Sequence, residues 1–218
     1  MASKYPLGPE SADPAREQVF RRVIVHTAST SELKDFASLR GDFSAARAFL
    51  DTYLASDLED SDPAAEPLDA LWIAAVTMYG RAFSTGRRHA AHPQTNHMDS
   101  DDLGAHRYFL ALRNKHIAHS VNGFEMGFVF ADLQDPAVAP GIARIGESHT
   151  RLMRLSRPAA ENLRRLCEEQ VKKLTLRINV LHRQVATELL ELGQTAVYAL
   201  PQFAPPIIND GNPLSPRL

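Results

Sequence analysis

Nothing in this sequence constrains its fold more than an apolar repeat near the C-terminal end. Leu163, Cys167, Val171, Leu174, Ile178, Leu181, Val185, Leu189 and Leu192 recur every three or four residues until Gly193, with Ser156 and Pro158 just ahead. That spacing puts all of them on one side of an α-helix, and the serine, proline and glycine suit its two ends. A seam of about eight turns, at 3.6 residues each, has to be covered along its length by other helices, and can extend to a partner chain. The expectation is a mainly α fold: a helical bundle of four to five helices. At 218 residues and 44% hydrophobic content the chain has ample material for a packed core.

Residues 1–15 read as a flexible N-terminal arm, 16–195 as the helical domain, and 196–218 as a Pro-rich C-terminal tail, extended or disordered, whose stretch from Pro201 holds five of the fourteen prolines. The stretch Gln18 to Val25 fits either a first helix or a short strand. Gly41 followed by Asp42 reads as one helix stopping and another being capped, with Ala45, Phe49, Leu50 and Tyr53 continuing at helical spacing. The acidic run from Asp57 to Pro67 reads as a solvated connection. From Pro67 a helix follows that is apolar on most sides, carrying Leu68, Leu71, Trp72, Ala75, Met78 and Tyr79, and such a helix belongs at the centre of its domain. Gly86 permits its end. Arg81 rides among apolar neighbours near that end, and Arg87 and Arg88, just beyond it, suit a solvated helix end as well as phosphate binding.

The loop that follows holds His89, His92 and His97, with Asp99, Asp101, Asp102 and His106 close behind. These are metal-ligand residue types, but their spacing fits no closed motif, so no metal and no cofactor is expected. Asp99, Ser100 and Asp101 offer oxygen caps for the next helix, expected from about Asp102 to His119. After Gly123 the period changes from helical to two. Phe124, Met126, Phe128 and Phe130 alternate with Glu125, Gly127, Val129 and Ala131, which reads as a half-buried strand with its aromatic stripe in the core. Pro136, Pro140 and Gly141 make the turn. Either Ile142 to Gly146 or His149 to Leu155 then pairs back, inserting a small β-hairpin after the motif helix.

A single cysteine, Cys167, excludes an internal disulfide and a multi-cysteine zinc site; a reducing cytoplasm is the simple expectation, with Cys167 as an inert buried thiol. The first residues lack the apolar centre of a secretory signal, and the longest apolar run, Ala70 to Met78, is too short to cross a bilayer, so no membrane association is expected. The formal charge of −2 argues against the basic coat of a strong general nucleic-acid binder. A local patch remains available, because Arg81, Arg87, Arg88, Arg107, Arg113 and Lys115 fall within one short window.

That window ends in Leu112-Arg113-Asn114-Lys115-His116-Ile117-Ala118-His119-Ser120. The forked donors of arginine fit phosphate oxygens, and histidine exchanges protons near neutral pH. Basic residues also gather in the last turn of helices to meet unpaired carbonyls, which is the plain reading of the same residues. In a straight helix Arg113 shares a stripe with His106, Leu110, His116 and Ile117, while His119 lies roughly 120° away. Both His116 and His119 therefore stand as candidates.

The arginine, the polar residue after it, the Lys-x-Ile-Ala-His-Ser continuation and the apolar Tyr108, Phe109, Leu110 and Leu112 before it resemble the signature of HEPN-domain proteins. That family's pattern is an arginine, a polar residue and a histidine four to six residues beyond the arginine, late in a helical bundle. The resemblance assigns catalytic positions to Arg113, Asn114 and His119. Arg81, Arg87, Lys115 and His116 are the accompanying substrate-binding candidates. It implies a HEPN-like bundle, metal-independent endoribonuclease activity on RNA, and a homodimer in which two copies of the motif form one site. A role as a toxin or abortive-infection defence effector, with an antitoxin or other partner protein, is implied by analogy. The alternative is a non-catalytic helical module of the same fold that binds RNA, a nucleotide or a partner protein.

Overall fold

The long seam forms the spine of the molecule. In the computed structural model, which describes residues 21–56, 66–84, 91–118, 125–135, 137–138, 140–152 and 154–204, the helix Arg157–Leu192 (α4) runs unbroken. Ser156 caps it by accepting the Ala159 N–H, Pro158 lies in its first turn, and Gly193, at φ 80°, ends it. A positive φ strains any residue with a Cβ, which is why a glycine stands there. Leu163, Cys167, Leu174, Ile178 and Leu181 of the expected seam are buried, joined by Ala160, Leu166 and Gln170. Beyond Leu181 the burial fades, and Leu192 is exposed.

Thr30–Leu54 (α1) packs along α4, and Glu66–Ala82 (α2) packs on α1. Asp51 meets Arg164, Glu32 meets Arg177, and Ser29 hydrogen-bonds Glu188, so α1 and α4 run antiparallel. Leu39, Phe43, Ala46 and Leu50 of α1 meet Trp72, Ala75, Val76 and Tyr79 of α2 and the buried face of α4 in one core. Ser100–Leu112 (α3) closes it with Phe109 and Leu112. The short helix Gln194–Tyr198 (α5) follows α4, giving five helices among the described residues. None of these is long and apolar enough to cross a membrane. Val23 then forms a bridge with Gln202, so this end of the Gln18 to Val25 stretch is extended rather than helical.

Three expectations are corrected. Gly41 and Asp42 do not divide two helices: α1 continues through both. The local stop signal is overridden by tertiary contacts, since Leu39 and Phe43 on either side are fully buried and Asp42 receives the guanidinium of Arg81. The motif helix does not run to His119 as regular α-helix: α3 ends at Leu112, and Arg113–Ile117 forms a π-helical turn. There the Ala118 N–H reaches back five residues to the Arg113 carbonyl at 3.0 Å.

The third concerns the hairpin. Glu125–Leu133 (β1) pairs antiparallel with Ile142–Arg151 (β2), from Glu125 opposite Arg151 to Leu133 opposite Ile142, with an irregularity between Asp132 and Leu133. Its aromatic stripe is not in the core. Met126 is 51% exposed, Phe128 56% and Phe130 39%, and neither strand makes an extended contact with any helix. Alternation of period two identifies a strand but does not say what covers its apolar face. Phe130 instead lies across Gly146, where a Cβ would stand 2.6 Å from its ring. The arm 1–15, the connection 57–65 and the tail beyond 204 lie outside the described residues.

Candidate functional site

Arg113 opens the π turn, and its position depends on a glycine in the neighbouring helix. A Cβ built on Gly80 of α2 would fall 2.9 Å from Arg113 Cγ and 3.2 Å from Cδ, so the aliphatic stem of the arginine lies directly on the α2 backbone. Glycine inside a helix is less favourable than alanine by about 1 kcal/mol, and close approach of a neighbour is the usual reason to find it there. The guanidinium then turns outward, and its Nη1 donates to Asn114 Oδ1 at 2.7 Å. The arginine and the polar residue after it thus form one hydrogen-bonded unit, half-buried at the stem and exposed at the head.

Two turns earlier on α2, buried Trp72 stacks against His116, with ring centroids 6.2 Å apart and planes within 8°. α2 therefore positions both side chains, Arg113 through the absence of a side chain and His116 through an indole face. Lys115, next to Asn114 in the chain, is exposed. Insertion of an extra residue into a helical turn recurs at functional sites because it re-aims side chains that a regular helix would hold apart. The offset of roughly 120° expected for His119 applied to a straight helix and no longer describes this end of the chain. His119 itself lies outside the described residues, as do Arg87, Arg88 and His89.

Among the described residues Arg113, like Arg40, Arg107 and Arg183, stands apart from the carboxylate-paired arginines of the fold. Arg144, Arg154, Arg157, Arg164, Arg165 and Arg177 each lie within reach of a carboxylate. Arg81 does too: its Nε donates to Asp42 Oδ2 at 3.2 Å, and this bond keeps the guanidinium pKa above its ordinary value. Asp42 is almost wholly buried, whereas the Arg81 side chain is about half exposed, so the pair joins a buried carboxylate to the surface. Among the described residues Arg113 has no carboxylate partner; its full charge rests against a neutral amide.

His106, one of the histidine-loop residues, belongs to the core. It is buried between Tyr79 and Phe83, and its Nδ1 shares a 2.8 Å hydrogen bond with the Tyr79 hydroxyl. Burial, assisted by the charge of Arg107, lowers its pKa, while burial raises that of Tyr79, so both rings are held neutral. Asp102 is paired with Arg165, and among the described residues no three metal-ligand side chains come together. Two cavities of about 440 Å³ exist, one around Phe36, Gln170 and Arg177 and one around Tyr53 and Arg154, and neither is lined by the motif. Arg113 is half-buried and Asn114 exposed. Gly80, Trp72 and Asp42 were not expected from sequence as site residues; the one available signal was a glycine inside an otherwise apolar helix. No family model, curated protein or solved structure matches the chain.

Proposed function

We propose that this chain is a metal-independent endoribonuclease of the HEPN type, working as a homodimer that brings two motifs together on RNA. The observation that carries the reading is the Arg113–Asn114 unit, seated on Gly80 and free of any carboxylate among the described residues. Arg113 contacts the scissile phosphate and stabilises the charge that grows on its oxygens, with Asn114 orienting the same group. A ribose 2′-oxygen bonds to the adjacent phosphorus while its proton passes to His119. The bond from phosphorus to the 5′-oxygen breaks, and that oxygen leaves with a proton returned by an imidazole. His116, stacked on Trp72, suits a positioning role, with Lys115 adding charge along the RNA. Work as a toxin or defence effector is the cellular role that the same family analogy supplies.

Cleavage of a mixed RNA pool with chelator present tests this. Wild-type protein cuts, and His119→Ala and Arg113→Ala each lose about 10²- to 10⁴-fold, the range of general acid/base catalysis, with the helical signal unchanged. His116→Ala loses less. Wild-type protein that leaves every RNA intact would sink the reading. The second reading, a non-catalytic module that engages a partner protein, is favoured by the formal charge of −2 and by the apolar residues exposed on the hairpin. Intact RNA together with binding through Arg113 is the result it expects.

A further inference from the structure

The hairpin is the one part of the described chain that does not complete itself. A two-stranded ribbon is at best marginally stable in water without a third strand or a helix against one face. Here both faces are open: Met126 and Phe128 on one, Val129 (80% exposed), Leu133, Ile142 and Ile145 on the other. A strand added at either edge would give the ribbon the third strand that a free-standing sheet needs.

The two edges of the ribbon are not equivalent. β2 carries Arg144, Glu147, His149 and Arg151 along its length, the charged pattern that keeps an edge strand from pairing. β1 has no charge and no proline from Met126 to Ala131, with Glu125 and Asp132 only at its ends. We infer that the β1 edge pairs with the β1 edge of a second copy of this chain, making a four-stranded antiparallel sheet across a two-fold axis.

Symmetry supports that occupant. A two-fold axis perpendicular to the sheet makes identical edge strands antiparallel and keeps each face with its own kind, so opposed residues are both even-numbered or both odd-numbered. Glu125 and Asp132 therefore never oppose one another. With Val129 on the axis all nine residues of β1 overlap, Phe128 stands opposite Phe130 of the second copy, and Val129 opposes itself. Aromatic and β-branched cross-strand pairs are the favourable ones. Glu125 follows Ala118 by seven positions, with six residues between them, a reach of at most about 25 Å, so this axis also limits how far apart the two Arg113 side chains can lie. The inference rests on the homodimer of the ribonuclease reading, whose chemistry stands separately on Arg113.

Light scattering on the full chain at micromolar concentration tests it, comparing wild type with Val129→Lys. Wild type has twice the monomer mass, and Val129→Lys shifts to monomer with its helical circular dichroism unchanged, because the hairpin takes no part in the core. Cys167 is fully buried, so Val129→Cys adds one reactive thiol. Mild oxidant links that variant into dimers, whereas the control Val138→Cys, in the hairpin turn, stays unlinked. A monomeric wild type overturns the inference and with it the homodimer of the proposed function, while RNA cleavage tests the chemistry at Arg113 separately. A dimer that persists in Val129→Lys overturns it as well, and would place the second copy elsewhere without touching the nuclease reading.

Discussion

Replacing Gly80 by alanine isolates the contact that sets Arg113. Alanine in a helix interior is favoured over glycine by about 1 kcal/mol, so on propensity alone Gly80→Ala stabilises the protein. The new methyl group, however, occupies a point 2.9 Å from Arg113 Cγ, closer than carbon atoms approach. The arginine stem has to swing off α2. Each fully buried methylene is worth about 0.8 kcal/mol, and loss of two or three half-buried ones returns about 1 kcal/mol. Gly80→Ala is therefore expected near neutral, with a melting temperature within about 2 °C of wild type. In an Arg113→Ala background the obstruction is gone, and the same substitution gains its full value of about 1 kcal/mol. Urea unfolding of the four proteins, followed by circular dichroism, should show a coupling near 1 kcal/mol, well above the 0.3–0.5 kcal/mol within which independent sites add. Additivity across the cycle would refute the packing argument. If Arg113 acts on phosphate, Gly80→Ala alone should also lower RNA cleavage by up to about 10²-fold, because a misplacement near 1 Å is enough.

Arg81→Met keeps the aliphatic stem but withdraws the guanidinium from buried Asp42; a loss of about 1–3 kcal/mol is expected, read as a melting temperature lowered by several degrees, and an unchanged value would show that Asp42 does not depend on Arg81. His106 has a folded-state pKa below the ordinary value near 6.5, so between the two values the unfolded chain binds the extra proton and the folded chain does not. The stability that neutral His106 supports is thus complete above about pH 6.5 and is lost as pH falls through its folded value, so urea midpoints should drop on acidification, less steeply in His106→Gln. An identical slope in both proteins would show that His106 does not couple to folding.

What the sequence displayed depended on how local the cause was. Ser156 and Gly193 bound α4 through bonds to residues three or four away, and Asp99 caps α3 by accepting the Asp102 N–H at 2.8 Å; such signals are readable in order. Gly41 and Asp42 carry an equally local boundary signal, yet the burial of Leu39 and Phe43 and the Arg81 pair hold the helix through them. The alternation of β1 was readable as a strand, while its exposure was not, because periodicity describes a face and not its cover. The seating of Arg113 on Gly80 and of His116 on Trp72 arises only when α2 and the π turn meet, more than thirty positions apart in the sequence.

Net charge and the placement of the ion pairs act differently on an arriving anion. A chain of net charge −2 has enough carboxylates to neutralise its arginines, and along α4 and at Arg81 it largely does. An anion arriving at any of those sites has to displace a carboxylate, exchanging one charge-assisted bond for another with little gain. Among the described residues, what it displaces at Arg113 is the amide oxygen of Asn114, a bond of about 0.5–1.5 kcal/mol net, and it gains a charged bond of about twice that strength. Asn114, released, can turn its N–H donors to the same anion. Bulk charge therefore measures how well the surface is neutralised, whereas the response of a given guanidinium to phosphate depends on the bond it must first release.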